Sequence, residues 1–344
     1  MSKQYEDALQ EEINEKADKI ASQLPDFCRK YFDHMKTIDR SARTRLQYAY
    51  DLKRFFDFLQ EQAGFSDVEL RKCSSAAILY QLSFDDIQEY LNTLNQTSKT
   101  NGNGKGKKHR TSSSFKARNI STLRSFYKFY YKHGEIEKDM ANLMEMPKIK
   151  NIEKKALDPD DVARILEASR SHCERNGGLN LLRDQAILTL LFGTGIRVSE
   201  LVGIDTSDVD FYDASILITR KGGDQDVVYF ADEVETVLKD YLNNERPKCT
   251  DKAFFLSSRK KRISVRMVQE LISTCGKEAG LNFRITPHTA RRSYGTSLYE
   301  NSGDIDLVAD SLHHRSIQTT RRYIKKSEDN KRKAQTLTSE LFKK

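Results

Sequence analysis

The segment MPKIKNIEKKALDPDD, residues 146–161, constrains the fold more than any other stretch of the chain. It is charged and carries two prolines, so it fits no helix interior and no buried strand. It separates a half whose apolar residues recur at helical spacing from a half in which helix and strand patterns alternate. A chain of 344 residues is long enough for two domains, each burying its own core. The boundary is therefore placed at a linker over 149–156, with one domain over 1–148 and another over 157–344.

The first domain reads as all-α. RTRLQYAYDLKRFFDFLQEQAG sets Leu46, Tyr50, Phe55, Phe56 and Leu59 near helical spacing, with Gly64 as the C-terminal cap. SFDDIQEYLNTL opens with Ser83 and Asp86 in a capping-box pattern, Asp standing where Glu is usual, and continues through Ile87, Tyr90, Leu91 and Leu94. A third helix, predicted over Ser113 to Lys132, carries Ile120, Leu123, Phe126, Tyr127 and Tyr130. Residues 1–25 form an acidic helical extension. Residues 97–113, rich in Gly, Ser, Asn and Lys, lack apolar surface to bury and read as a flexible basic loop. The GNGKGKK run within it is no nucleotide-binding loop, because it lacks the GxxxxGK[ST] pattern and follows a helix rather than a strand.

The second domain reads as mixed α/β, mostly α with a small β-sheet. Leu157-Asp158-Pro159 opens a helix, with Asp158 as N-cap, Pro159 in the first helical position and Asp160 and Asp161 favoured by the helix dipole. RDQAILTLLFGTGIRVSELVGI reads as an apolar helix broken at Gly193 and Gly195, with a new helix starting at Arg197. ASILITRKGGDQDVVYF holds two β-rich runs around Gly222-Gly223, a hairpin. KAQTLTSELFKK closes the chain with a short amphipathic tail helix at about 333–342.

Charge points to a polyanionic partner. Residues 101–150 hold twelve Lys and Arg against four Asp and Glu, a local net of +8 that equals the formal charge of the whole chain. Nucleic acid is the natural counterpart, with a solvated basic face as the other reading. The five cysteines are scattered without a CxxC pair or matching histidines, which favours reduced thiols over disulfides or zinc. No apolar run reaches membrane-spanning length and the N-terminus lacks a secretory pattern, so the expectation is a soluble cytoplasmic protein with no membrane partner.

Six side chains form a set suited to phosphate. Arg197 follows a glycine turn at a helix start, where backbone N–H groups favour an anion. Glu200, one turn on, is placed to pair with it and support the site. Lys221 sits at the hairpin tip. His288 and Arg291 in HxxR project from one helix face. His314 and Tyr323 follow. Arginine forks grip phosphate oxygens, histidine and lysine move protons, and a tyrosine can attack phosphorus. Adjacent His313 and His314 point apart and have no third ligand at zinc spacing, so no metal or other cofactor is expected.

Taken in order, GTGIRVSEL, TRKGGDQD, HTARRSYGT and LHHRSIQTTRRYI resemble the tyrosine recombinase (phage integrase) family. Its pattern is Arg, Lys, HxxR, a second His or Trp, and a Tyr nine residues further, the spacing of His314 and Tyr323. The match runs over roughly 157–326, and the helical half resembles the family's SAM-like core-binding domain. Two departures stand out: the family usually has HxLRH where this chain has His288-Thr289-Ala290-Arg291-Arg292, and Gly where His313 stands. Without a β-rich arm-binding module, the chain looks most like Xer-type recombinases, particularly the single-recombinase systems of Gram-positive bacteria.

The resemblance implies a chemistry. Tyr323 attacks the scissile phosphate to give a 3′-phosphotyrosyl link and a 5′-hydroxyl, without ATP. Arg197 and Arg291 hold the non-bridging oxygens, Lys221 protonates the leaving oxygen, His288 exchanges the tyrosine proton and His314 hydrogen-bonds the phosphate. It further implies a homo-tetramer on two double-stranded DNA duplexes carrying a specific site, working through a Holliday junction. The two domains would clamp the duplex, with the tail helix docking on a neighbour or folding back. Candidate DNA contacts are Arg43, Arg45, Lys107, Lys108, Arg110, Lys116, Arg118, Arg124, Arg220 and Arg292. Chromosome dimer resolution and mobile-element integration both fit. Alternatives of other classes are a type IB topoisomerase and a DNA-binding regulator without strand exchange.

Overall fold

The computed structural model describes residues 3–61, 69–94, 96–99, 107–110, 112–148, 155–220, 224–313 and 320. The chain divides into two compact units, Asp7–Ile152 and Glu153–Lys344, and Met1–Glu6 groups with the second. Within that second unit the Tyr5 ring lies 4.4 Å from the Arg262 guanidinium, a cation–π contact.

The first unit is helical. Its elements are α1 (Lys3–Ala21) from Asp7 onward, α2 (Cys28–Thr37), α3 (Ala42–Glu61), α4 (Phe84–Thr93), the strands β1 (Gln96–Lys99) and β2 (Lys107–Arg110), then α5 (Ser113–Lys132) and α6 (Met140–Leu143). Aromatic rings fill its core: Phe27 meets Phe56 and Tyr130 edge-on at 5.9 and 5.6 Å, and Phe126 meets Tyr130 at 5.0 Å. Such quadrupole-matched contacts add to the area these side chains bury. The Tyr130 hydroxyl, fully buried, donates to the Phe27 carbonyl at 2.7 Å, so its polar end costs little.

Local signals placed α4 and α5 well. Ser83 Oγ accepts from the Asp86 amide at 3.2 Å while Asp86 Oδ2 accepts from the Ser83 amide at 2.7 Å, the reciprocal capping box. Along α3 the buried face runs through Ala49, Leu52, Phe55, Phe56 and Leu59, whereas Tyr50 is exposed. Tyr50 is one residue, about 100°, beyond Ala49 and so turns away from the core. Gly64 lies outside the described residues. Around the 97–113 segment, the described residues 96–99 and 107–110 pair as antiparallel strands, Gln96 opposite Arg110 through Lys99 opposite Lys107. Backbone hydrogen bonds supply this order, which a count of apolar residues does not detect.

The second unit is built on α7 (Pro159–Arg175), α8 (Leu181–Thr194), α9 (Val198–Gly203), β3 (Val209–Asp210), β4 (Ser215–Thr219), β5 (Gln225–Tyr229), α10 (Asp232–Asp240), α11 (Val265–Glu278), α12 (Pro287–Ser302) and α13 (Ile305–Ser311). Asp158 caps α7 as its sequence requires, Oδ1 accepting from the Asp161 amide at 2.7 Å. The apolar α8 is the central helix, with Ala186, Ile187, Leu188, Leu190 and Leu191 inaccessible to solvent. The sheet order is β3-β4-β5, all antiparallel, with Ser215 opposite Tyr229 and Thr219 opposite Gln225. The Arg220 amide donates to the Asp224 carbonyl at 2.8 Å and closes the ends of the turn.

The two glycines expected to break the helix act differently. Gly193 stays inside α8, and a Cβ there would come within 2.6 Å of Val234 Cγ2, so it permits close approach of α10. Gly195 ends α8 with φ +62°, and a Cβ there would lie 2.7 Å from Tyr294 Cδ1. Gly195→Ala meets both the left-handed backbone and this ring. It is expected to lower unfolding free energy by about 2–4 kcal/mol, read by urea denaturation.

No helix among the described residues is long and apolar enough to cross a membrane, and the five cysteines are free.

Candidate active site

The site is assembled around two helix ends. α8 stops at Gly195 and α13 stops at Ser311, and the last carbonyls of any helix lack intrahelical donors and carry the negative end of the dipole. Arg291 of α12 answers both. Its Nη1 donates to the Gly195 carbonyl at 2.6 Å and its Nη2 to the Leu312 carbonyl. These bonds explain how a guanidinium stands only 5% exposed, and they fix its plane before any ligand arrives.

Arg197 is the N-cap of α9. Buried Glu200 accepts from the Arg197 amide at 2.9 Å and from its Nη1 at 2.7 Å, while 41% of the arginine side chain remains exposed. One edge of the fork is thus held by a carboxylate and the other is presented. Glu200 has the supporting geometry its i,i+3 spacing implied. His288 and Arg291 divide: His288 is exposed, Arg291 buried. Three residues span about 300° of helix, which sets the two about 60° apart and lets one face the core and the other the rim.

His313, which stands where the family usually has Gly, is grouped with two other side chains of this region. Its φ of +52° is the left-handed region that a glycine occupies freely and a histidine does not. Its Nδ1 lies 3.0 Å from Asp226 Oδ2 on β5, and the same carboxylate oxygen pairs with Arg220. Burial above all, then Arg220, pushes its imidazole pKa down to about 4. Arg291 and Arg197 act in the same direction and Glu200 against it. These four side chains are therefore gathered within electrostatic reach of one imidazole.

The pH consequence follows by linkage. Above about pH 6.5 His313 is neutral folded or unfolded. Between 6.5 and about 4 the unfolded chain takes up a proton that the folded one refuses, so stability falls as pH falls through that window. Thermal melts should show this slope, and His313→Gly should flatten it.

The candidate DNA contacts are less uniform. Arg43 is exposed, and Lys116, Arg124 and Arg292 are half-buried. Arg45 is engaged within its own unit, Nη1 donating to the Arg40 carbonyl at 2.6 Å and Nη2 to Asn14 Oδ1. Arg118 grips Asp51, a carboxylate only 2% exposed, through Nε at 3.1 Å and Nη2 at 3.0 Å, with Thr122 Oγ1 also donating at 3.1 Å. Arg118 and Arg45 thus each have partners within the helical unit, while 38% of the Arg118 side chain stays exposed. Arg220 is held by Asp226 beside the hairpin turn. Lys107, Lys108 and Arg110 lie on β2. Lys221, His314, Tyr323 and the 333–342 tail lie outside the described residues. Asp226 was missed in the sequence, where it reads as one more polar residue of a strand.

The phage integrase family model matches residues 155–330, and the model of the phage integrase N-terminal SAM-like domain matches residues 29–134. The chain belongs to the phage integrase family. Among its relatives, tyrosine recombinase XerD of Mycobacterium tuberculosis (strain H37Rv) is 30% identical over 300 residues, covering 85% of this chain and 90% of that protein. Two solved structures share the fold. XerH site-specific recombinase bound to difH substrate has a TM-score of 0.61 at 18% identity, covering 86% of this chain and 79% of its own. A lambda integrase tetramer bound to a Holliday junction has a TM-score of 0.62 at 17% identity, covering 86% and 76%. The integrase-family match spans every segment that contributes to the Arg291 site, from α8 to the turn at His313.

Proposed function

We propose that the cluster around Arg291 and Arg197 is the phosphate clamp of a DNA strand-transfer site whose nucleophile is Tyr323. As a phage integrase family member the chain is a tyrosine-type site-specific recombinase, cleaving and rejoining DNA. In this reading Tyr323 Oη attacks phosphorus, the bond to the 5′ oxygen breaks, and Lys221 protonates the departing oxygen. His288 takes the tyrosine proton and returns it on religation, and His314 hydrogen-bonds the phosphate. Arg197 and Arg291 stabilise the charge gathering on the non-bridging oxygens. The observation that carries the reading is the burial of Arg291 with two of its donors fixed by Gly195 and Leu312. A donor held rigid before substrate arrives stabilises developing charge without reorganising, which is the property a catalytic phosphate site needs.

Four copies acting on two duplexes, each bearing a specific site, and exchanging strands through a Holliday junction complete the proposal. The test is a nicked suicide substrate. A covalent adduct, sensitive to protease and carried on the 3′ side of the break, is expected. DNA binding without any adduct would leave a regulator. Relaxation of a supercoiled plasmid without joining of two sites would mark a topoisomerase.

A further inference from the structure

We propose that Arg220, Asp226 and His313 form a positioning latch that couples the turn end of the hairpin to the turn after α13, and that the roles proposed for Lys221 and His314 depend on it. The inference rests on the strand-transfer reading above and assigns residues that its chemistry leaves unused. One carboxylate, Asp226, pairs with Arg220 and lies 3.0 Å from Nδ1 of His313. Arg220 is the residue directly before Lys221, and His313 the residue directly before His314. The Asp226–His313 contact, between positions 87 residues apart in the chain, therefore ties the turn end of the hairpin to the turn after α13.

Both arms are fixed from behind. The Arg220 amide bonds the Asp224 carbonyl at 2.8 Å across the turn. On the other side the His313 amide donates to the Asp310 carbonyl at 2.8 Å, and the preceding carbonyl, that of Leu312, accepts from Arg291. The latch thus shares its anchor with the phosphate clamp. His313 is also held at φ +52°, a strained setting that glycine would relieve. Strain retained where an alternative residue removes it marks a side chain that is needed, and here the side chain meets Asp226. A neutral imidazole donates through Nδ1 to that carboxylate while Arg220 balances its charge, so the carboxylate is satisfied without adding negative potential beside a phosphate.

Positioning of Lys221 is separable from general packing by the leaving group. In a substrate whose 5′-bridging oxygen is replaced by sulfur, attack by Tyr323 breaks the P–S bond and expels a thiolate. A thiolate, with a pKa near about 8.5, departs without a proton. A defect in proton delivery disappears on that substrate, and a defect in folding or DNA binding does not.

Single-turnover cleavage of oxygen and sulfur suicide substrates is measured for the full chain, Lys221→Ala, Asp226→Ala and His313→Gly. His313→Gly suits the left-handed backbone and so tests the latch in a protein that folds. Asp226→Ala and His313→Gly are expected to cleave the oxygen substrate roughly 10- to 100-fold more slowly, the scale of a misplacement of about 1 Å, and to recover on sulfur as Lys221→Ala does. Parental rates on the oxygen substrate in both latch variants would overturn the latch, as would equal losses on the two substrates. A rescued Lys221→Ala beside unrescued latch variants overturns the latch alone. An unrescued Lys221→Ala overturns the lysine's role as acid and the latch with it.

Discussion

Tyr323→Phe is expected to abolish the covalent protein–DNA adduct while leaving affinity for the recombination site unchanged. The substitution removes one oxygen, the one that in the proposed reaction becomes bonded to phosphorus. Loss of a nucleophile from a multi-residue site typically costs on the order of 10⁴- to 10⁶-fold, since the remaining members have nothing to activate. Denaturing electrophoresis of suicide-substrate reactions reads the adduct, and a filter or mobility assay reads binding. An adduct persisting in Tyr323→Phe would move the nucleophile elsewhere. Loss of binding together with the adduct would mean that the hydroxyl holds DNA rather than attacks phosphorus.

The second large effect falls on Arg291→Ala, and it is double. If Arg291 is the phosphate donor proposed above, its removal lowers the rate about 10²- to 10³-fold. The same change strips the Gly195 and Leu312 carbonyls of their buried partner, at about 1–3 kcal/mol for each group left unsatisfied. A lowered melting temperature should therefore accompany the lowered single-turnover rate. Arg291→Lys keeps the charge but not the planar fork that reaches two carbonyls at once, so it should recover neither property fully. A variant that is inactive yet melts like the parent would show that the carbonyl bonds contribute little to the fold.

Most of what was legible in the sequence rests on rules confined to a few residues. Ser83 with Asp86, Asp158 with Pro159, and the β-branched runs around Gly222-Gly223 each specify an element start or a hairpin locally, and the structure forms them. The order of the four motifs carried the family in the same way, because spacing survives when surrounding residues change. What escaped was tertiary. Nothing near Arg291 indicates that its guanidinium reaches carbonyls 96 and 21 residues away in the chain. Nothing near Asp51 marks it as a buried carboxylate that pairs with Arg118. A basic residue on a predicted helix reads equally as a phosphate contact or an internal strut until its partner is known. Gly193 illustrates the same limit: a glycine that reads as a break proves to be a contact surface for α10.

The place of Arg291 between two helix ends has a consequence for how such a chain can change over generations. A side chain that serves chemistry alone can be lost without harm to solubility or abundance, and a silent DNA-binding descendant arises easily. Here the residue that would grip phosphate also holds α8 and α13 in register, so its loss exposes the protein to unfolding and proteolysis as well as inactivity. Drift at that position is closed from two directions, and inactive descendants of this chain should keep Arg291 long after their other site residues have diverged.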